Sequence, residues 1–162
     1  MNILPSNEVF IDDYYSSGMS YEDPGNPTYF PRIVKKELSM YNEGNPNTLG
    51  MFIEVGANDG SWAPISGADH LNIYVTSRLL WDAKQDLPAL LDDYYEKFYG
   101  PAASQMKAFE EYCETHFMYF HSNSSVRTTE RTLLNAAIAA AAGSGVYADR
   151  VAMMDAFLKL AE

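Results

Sequence analysis

Two short apolar runs in this chain have the make-up of β-strands, and the stretch between them has the spacing of a helix. Val9-Phe10-Ile11 leads into the polar group Asp12-Asp13-Tyr14-Tyr15. Leu49 to Val55 leads into Gly56-Ala57-Asn58-Asp59-Gly60-Ser61-Trp62. Both are brief and rich in apolar residues, as buried strands are. Between them, Gly18, Pro24, Gly25, Asn26 and Pro27 give turn chemistry. Pro31 suits the first turn of a helix, Ile33, Val34, Leu38 and Tyr41 follow its spacing, and Gly44-Asn45-Pro46 stops it. Strand, helix, strand, loop, helix is the order of a parallel sheet, because strands joined through a helix run the same way.

Beyond residue 70 the spacing is helical throughout. Leu71, Tyr74, Val75 and Leu79 share one face, and Trp81-Asp82 marks a break. Asp86 is placed to cap a helix carrying Leu87, Leu90, Leu91, Tyr94 and Phe98, which Gly100 ends and Pro101 follows. Met106, Phe109, Cys113 and Phe117 form the next stripe. A further helix is predicted from about Thr128 to Ala142, and a last one carries Tyr147, Val151, Met154 and Leu158. The fold class is therefore α/β at the amino-terminal end and predominantly helical overall.

Charge restricts the partners. Eleven basic residues against 22 acidic ones give a formal charge of -11. That field repels a phosphate backbone and an anionic bilayer, so neither nucleic acid nor membrane is expected as a partner. Neutral sugars remain compatible, since aromatic faces and short hydrogen bonds recognise them. The first residues, Met1-Asn2-Ile3-Leu4-Pro5-Ser6, lack the basic and long apolar regions of a signal peptide, and the chain reads as soluble with its compartment open. Cys113 is the single cysteine and reads as a small buried residue. His70, His116 and His121 have no metal-ligand partners at useful spacing. No phosphate loop, nucleophile elbow or dinucleotide fingerprint occurs, so no cofactor and no metal are expected.

One pair of segments is more distinctive. Tyr74-Val75-Thr76-Ser77-Arg78-Leu79-Leu80-Trp81-Asp82 is followed by Asp86 and then by the run YYEKFYGPAA, Tyr94 to Ala103. Together they resemble the bacterial family catalogued as domain of unknown function 4838, whose members look like relatives of α-glucuronidase and β-hexosaminidase barrels. Pro31 to Tyr41 resembles that family's penultimate barrel helix, and Leu49 to Glu54 its last strand. The resemblance implies that residues 1–100 are the last two βα units of a (β/α)8 barrel and that residues 101–162 are a helical tail. Such a barrel typically takes ~250 residues, and two candidate strands are not eight. The remnant would expose sheet edges, to be covered by the helical tail or satisfied by self-association.

Barrel enzymes carry their working residues at the carboxyl ends of strands. Those positions are Asp12, Asp13 and Tyr14 after the first strand, and Glu54, Asn58, Asp59 and Trp62 after the second. Glycoside hydrolysis generally uses two carboxyl groups ~5 to 10 Å apart, a spacing open to Asp13 and Glu54. The resemblance implies a different division. In hexosaminidase-like barrels the catalytic acids come from middle strands, and the last strand's Glu, here Glu54, binds sugar hydroxyls. Asp12 or Asp13 and Tyr14 would serve the same subsite, with Trp62 as a stacking platform. The plain alternative is a set of solvated loop carboxylates and a half-buried Trp. Trp81 reads as core and Asp82 as a turn cap. Two functions follow: a carbohydrate-binding piece of a glycoside-hydrolase-like protein without its own catalytic pair, or a self-contained helical interaction module.

Overall fold

The computed structural model describes residues 9–13, 25–44, 48–53 and 63–161. β1 (Val9–Asp13) and β2 (Thr48–Ile53) form a parallel pair, with α1 (Pro31–Gly44) between them in the chain. The register sets Phe10 against Gly50, Ile11 against Met51, Asp12 against Phe52 and Asp13 against Ile53. Alternation then divides the side chains. Met51 and Ile53 pack against the buried cluster, while Phe10 is 71% and Phe52 62% exposed. Gly50 leaves room for the Phe10 ring, which would lie 3.3 Å from a Cβ at that position.

The remaining described elements are helices: α2 (Ala63–Trp81), α3 (Leu87–Tyr99), α4 (Ala103–His116), α5 (Ser124–Ala141) and α6 (Val146–Leu158). Single 3-10 turns occupy 100–102, 117–119 and 159–161. α2 packs on α1 and α6, α4 on α3 and α5, and α5 on α6. Their apolar stripes meet in one cluster that runs from Tyr29 to Leu158. Local chemistry sets the ends. The Asn123 side chain accepts from Ser125 N at 3.0 Å and caps α5, and Gly100, at φ 51°, closes α3 with its N–H on Glu96 O. Asn72, fully buried on α2, clamps the entry to α1: its Oδ1 accepts from Phe30 N at 3.2 Å, and its Nδ2 donates to Thr28 O at 3.0 Å.

Three local expectations change. α2 begins at Ala63, inside the stretch read as loop, with Pro64 in its first turn. α5 begins at Ser124 rather than Thr128, because Asn123 caps it there, and the Thr128, Thr129 and Thr132 hydroxyls are satisfied by carbonyls four residues earlier. Trp81 is not core but 91% exposed. Leu71, Val75 and Leu79 hold the buried stripe of α2, and a residue two beyond Leu79 lies about 200° around the helix. Asp86 occupies the N-cap position of α3 without a side-chain cap hydrogen bond. Asp82 does serve the turn, its Oδ1 accepting from Lys84 N at 2.9 Å.

The exposure of Trp81 makes a contrast that thermal denaturation can measure. Trp81→Ser should change stability by no more than ~0.5 kcal/mol. Leu79→Ala, on the same helix and fully buried, should cost about 2–5 kcal/mol.

Among the described residues the sheet has two strands and does not close into a barrel. What stands is a parallel strand–helix–strand unit joined to a predominantly helical body. Among the described residues no helix is long and apolar enough to cross a membrane.

Candidate functional site

Parallel pairing brings the carboxyl ends of both strands to one edge of the sheet. Asp13 ends β1 opposite Ile53, which ends β2. Asp12, one residue back, is exposed on the same sheet face as Phe10 and Phe52. These two aspartates are the part of the sequence-derived site that the structure describes. Tyr14, Glu54, Asn58, Asp59 and Trp62 lie outside the described residues.

At the opposite, amino-terminal end of the strands a cavity of about 260 Å³ opens between the sheet and the carboxyl ends of α1 and α2. Ile11, Met51, Tyr41, Asn42, Trp81 and Asp82 contribute to its wall. The α2–α3 turn beside it is firmly held. Lys35 Nζ donates to Ala83 O and to Gln85 O, the latter at 2.9 Å, and the Gln85 amide donates to Arg78 O and Asp82 O.

The strongest concentration of titratable groups is interior. Glu110 on α4 is buried and accepts from the Tyr99 hydroxyl at 2.8 Å. Tyr95 lends a second hydroxyl. Burial pushes the Glu110 carboxyl up to about 8, against the pull of those two hydrogen bonds. Glu130 on α5 is also buried, and burial raises it to about 7, opposed by the Cys113 thiol and by the charge of Arg127. Burial likewise drives Tyr29, Tyr94, Tyr95, Tyr99 and Cys113 above their ordinary values, and the charge of Glu110 adds to each shift. The tyrosines and Cys113 stay neutral near neutral pH, whereas Glu130 and Glu110 titrate at or just above it.

Both glutamates escaped the sequence reading, although the signal was present. Glu110 follows Phe109 and stands four residues after Met106, and Glu130 falls midway between Val126 and Leu134. A carboxyl on an apolar stripe at helical spacing marks a buried acid.

The histidines are packed against rings. His70 stacks on Phe98 at 3.9 Å and His116 on Tyr112 at 4.0 Å, while His121 meets Phe120 edge-on. Burial and the nearby Arg150 lower His70. Among the described residues no group of three His, Cys, Asp or Glu side chains is placed to hold a metal ion.

The described architecture thus defines an α/β protein whose parallel strand–helix–strand unit leads into a helical body. The family described as Domain of unknown function (DUF4838) matches residues 10–114, from β1 into the last turn of α4, and the chain belongs to that family. No curated protein and no solved structure matches it.

Proposed function

We propose that the chain is the closing part of a glycoside-hydrolase-like barrel and contributes carbohydrate contacts without a catalytic pair of its own. The observation that supports this reading is the parallel β1–α1–β2 unit with one bare face. Parallel sheets are ordinarily covered on both faces, yet Phe10 and Phe52 here stand in solvent. Further βα units of the same architecture, or a second copy of the chain, would cover that face and extend the sheet. On this reading Asp12, Asp13 and Tyr14, with Glu54, Asn58, Asp59 and Trp62, form a sugar-contact rim at the carboxyl edge of the sheet.

Titration calorimetry with neutral and uronic monosaccharides tests the rim. Weak binding is expected, reduced ~10-fold, or about 1.4 kcal/mol, by Asp12→Asn or Glu54→Gln. Aryl glycosides and glucuronides should not be turned over. Hydrolysis abolished by Glu54→Gln would make Glu54 catalytic and reject the proposal. The second reading, a self-contained helical module, draws on the single buried cluster that joins α2 to α6.

A further inference from the structure

Glu110 and Glu130 are two interior acids that form no ion pair among the described residues. Arg127, whose charge acts on Glu130, spends its guanidinium on Phe120 O at 2.6 Å and His121 O at 3.0 Å. An ionised carboxylate in such a setting loses far more hydration than one or two hydroxyl contacts return. Glu110 Oε1 accepts from Tyr99, whereas Glu110 Oε2 and both Glu130 oxygens are buried without a hydrogen bond of ordinary geometry. A carboxyl that keeps its proton fits that arrangement better than a bare anion does.

Their positions link several elements. Glu110 and Cys113 sit one turn apart on α4, and the Cys113 thiol faces Glu130 across the α4–α5 contact. From α3, the Tyr99 hydroxyl donates to Glu110 and Tyr95 lies beside it, while Tyr94 and, from the segment before α1, Tyr29 are close enough to feel its charge. None of those hydroxyls, nor the thiol, can take over a negative charge, since burial holds each of them neutral well past the neutral range.

We propose that the Glu110–Cys113–Glu130 cluster is an acid-favoured latch, holding α4 against α3 and α5 while both carboxyls are protonated and loosening that contact when they ionise. The sign follows from proton counts. In the unfolded chain both glutamates release their protons near 4.5, whereas in the fold they keep them to about 8 and about 7. The folded state therefore binds more protons across that window, and its stability declines as pH rises through it. His70 acts oppositely: burial lowers it, so it favours the fold as pH rises through the ordinary histidine range. Asp155 is pushed up by burial but held low by hydrogen bonds from Lys159 and Arg131, and its contribution is lost only in strong acid.

The test compares the whole chain with Glu110→Gln, Glu130→Gln and the double variant, since glutamine keeps the shape and cannot ionise. Between about pH 5 and pH 8.5 the midpoint of thermal unfolding of the parent should fall by roughly 5–10 °C more than that of the double variant. Amide protection factors in α4 and α5, which remove the base-catalysed rise of the intrinsic rate, should fall in the parent over the same range and hold in the double variant. Parallel pH curves for parent and double variant would overturn the latch. An independent reading needs no variant. Infrared difference spectra of the parent should show a protonated-carboxyl C=O band at about pH 6 that disappears by about pH 9. Its absence at the lower pH would also reject the proposal.

Discussion

A chain trimmed to residues 66–162 is expected to lose its cooperative unfolding transition. The cut removes Tyr29, Val34 and Leu38, all buried in the cluster that α2 to α6 share. Tyr29 reaches furthest, its hydroxyl lying 3.4 Å from Met154 Sδ on α6. Each such side chain contributes about 1.5–3 kcal/mol by burial, or roughly 5–9 kcal/mol for three. Whole domains of this size are stable by only about 5–15 kcal/mol. The cut also strips Asn72 of both its backbone partners, leaving a buried amide unsatisfied. Circular dichroism with chemical denaturation reads the outcome. A sharp transition in the trimmed chain would favour the self-contained helical module; a broad, weak one would tie the helical body to the strand–helix–strand unit.

Gly100→Ala should be strongly damaging, because the added methyl meets both backbone strain and a neighbouring ring. Gly100 lies at φ 51°, where side chains are strained, and a Cβ there would fall 2.8 Å from two atoms of the Tyr147 ring. Backbone strain costs about 1–3 kcal/mol and overpacking a further 1–3 kcal/mol. The expected loss is thus ~2–5 kcal/mol, read from the denaturant midpoint. A double-mutant cycle with Tyr147→Ala separates the two causes, because the second substitution relieves the clash and leaves the strain. The ring matters to its neighbours as well. Arg150 lies 5.8 Å from the Tyr147 centroid and 4.4 Å from that of Phe98, and its Nη1 donates to Phe98 O at 2.8 Å, tying α6 to the end of α3.

Periodicity made the helices legible before any coordinates, and the reason is physical. Leu87, Leu90, Leu91 and Tyr94 repeat at the helical period because one face of α3 must be buried. The strand pair was readable for a related reason, since a helix between two short apolar runs leaves parallel pairing as the simple solution. Trp81 was misread because side-chain type was allowed to outweigh angular position on α2. The start of α5 was misread because serine and threonine favour loops, until their hydroxyls find carbonyls one turn back. Glu110 and Glu130 show the limit from the other side. Their spacing marked them as interior, but only the geometry identifies the tyrosine and thiol groups that make them tolerable there. Of the proposed sugar-contact rim, Asp12 and Asp13 alone fall among the described residues, so strand order and register locate two of its members.

The contact between Tyr29 and Met154 joins points 125 residues apart in the chain. Synthesis delivers these two residues at widely separated times. β1, α1 and β2 emerge before α6, the helix whose Met154 meets Tyr29. The core therefore cannot close until α6 has been made, and the strand pair must wait for it, with Phe10 and Phe52 already presented to water. Closure of this core is in that sense timed by α6, the element that decides when it happens.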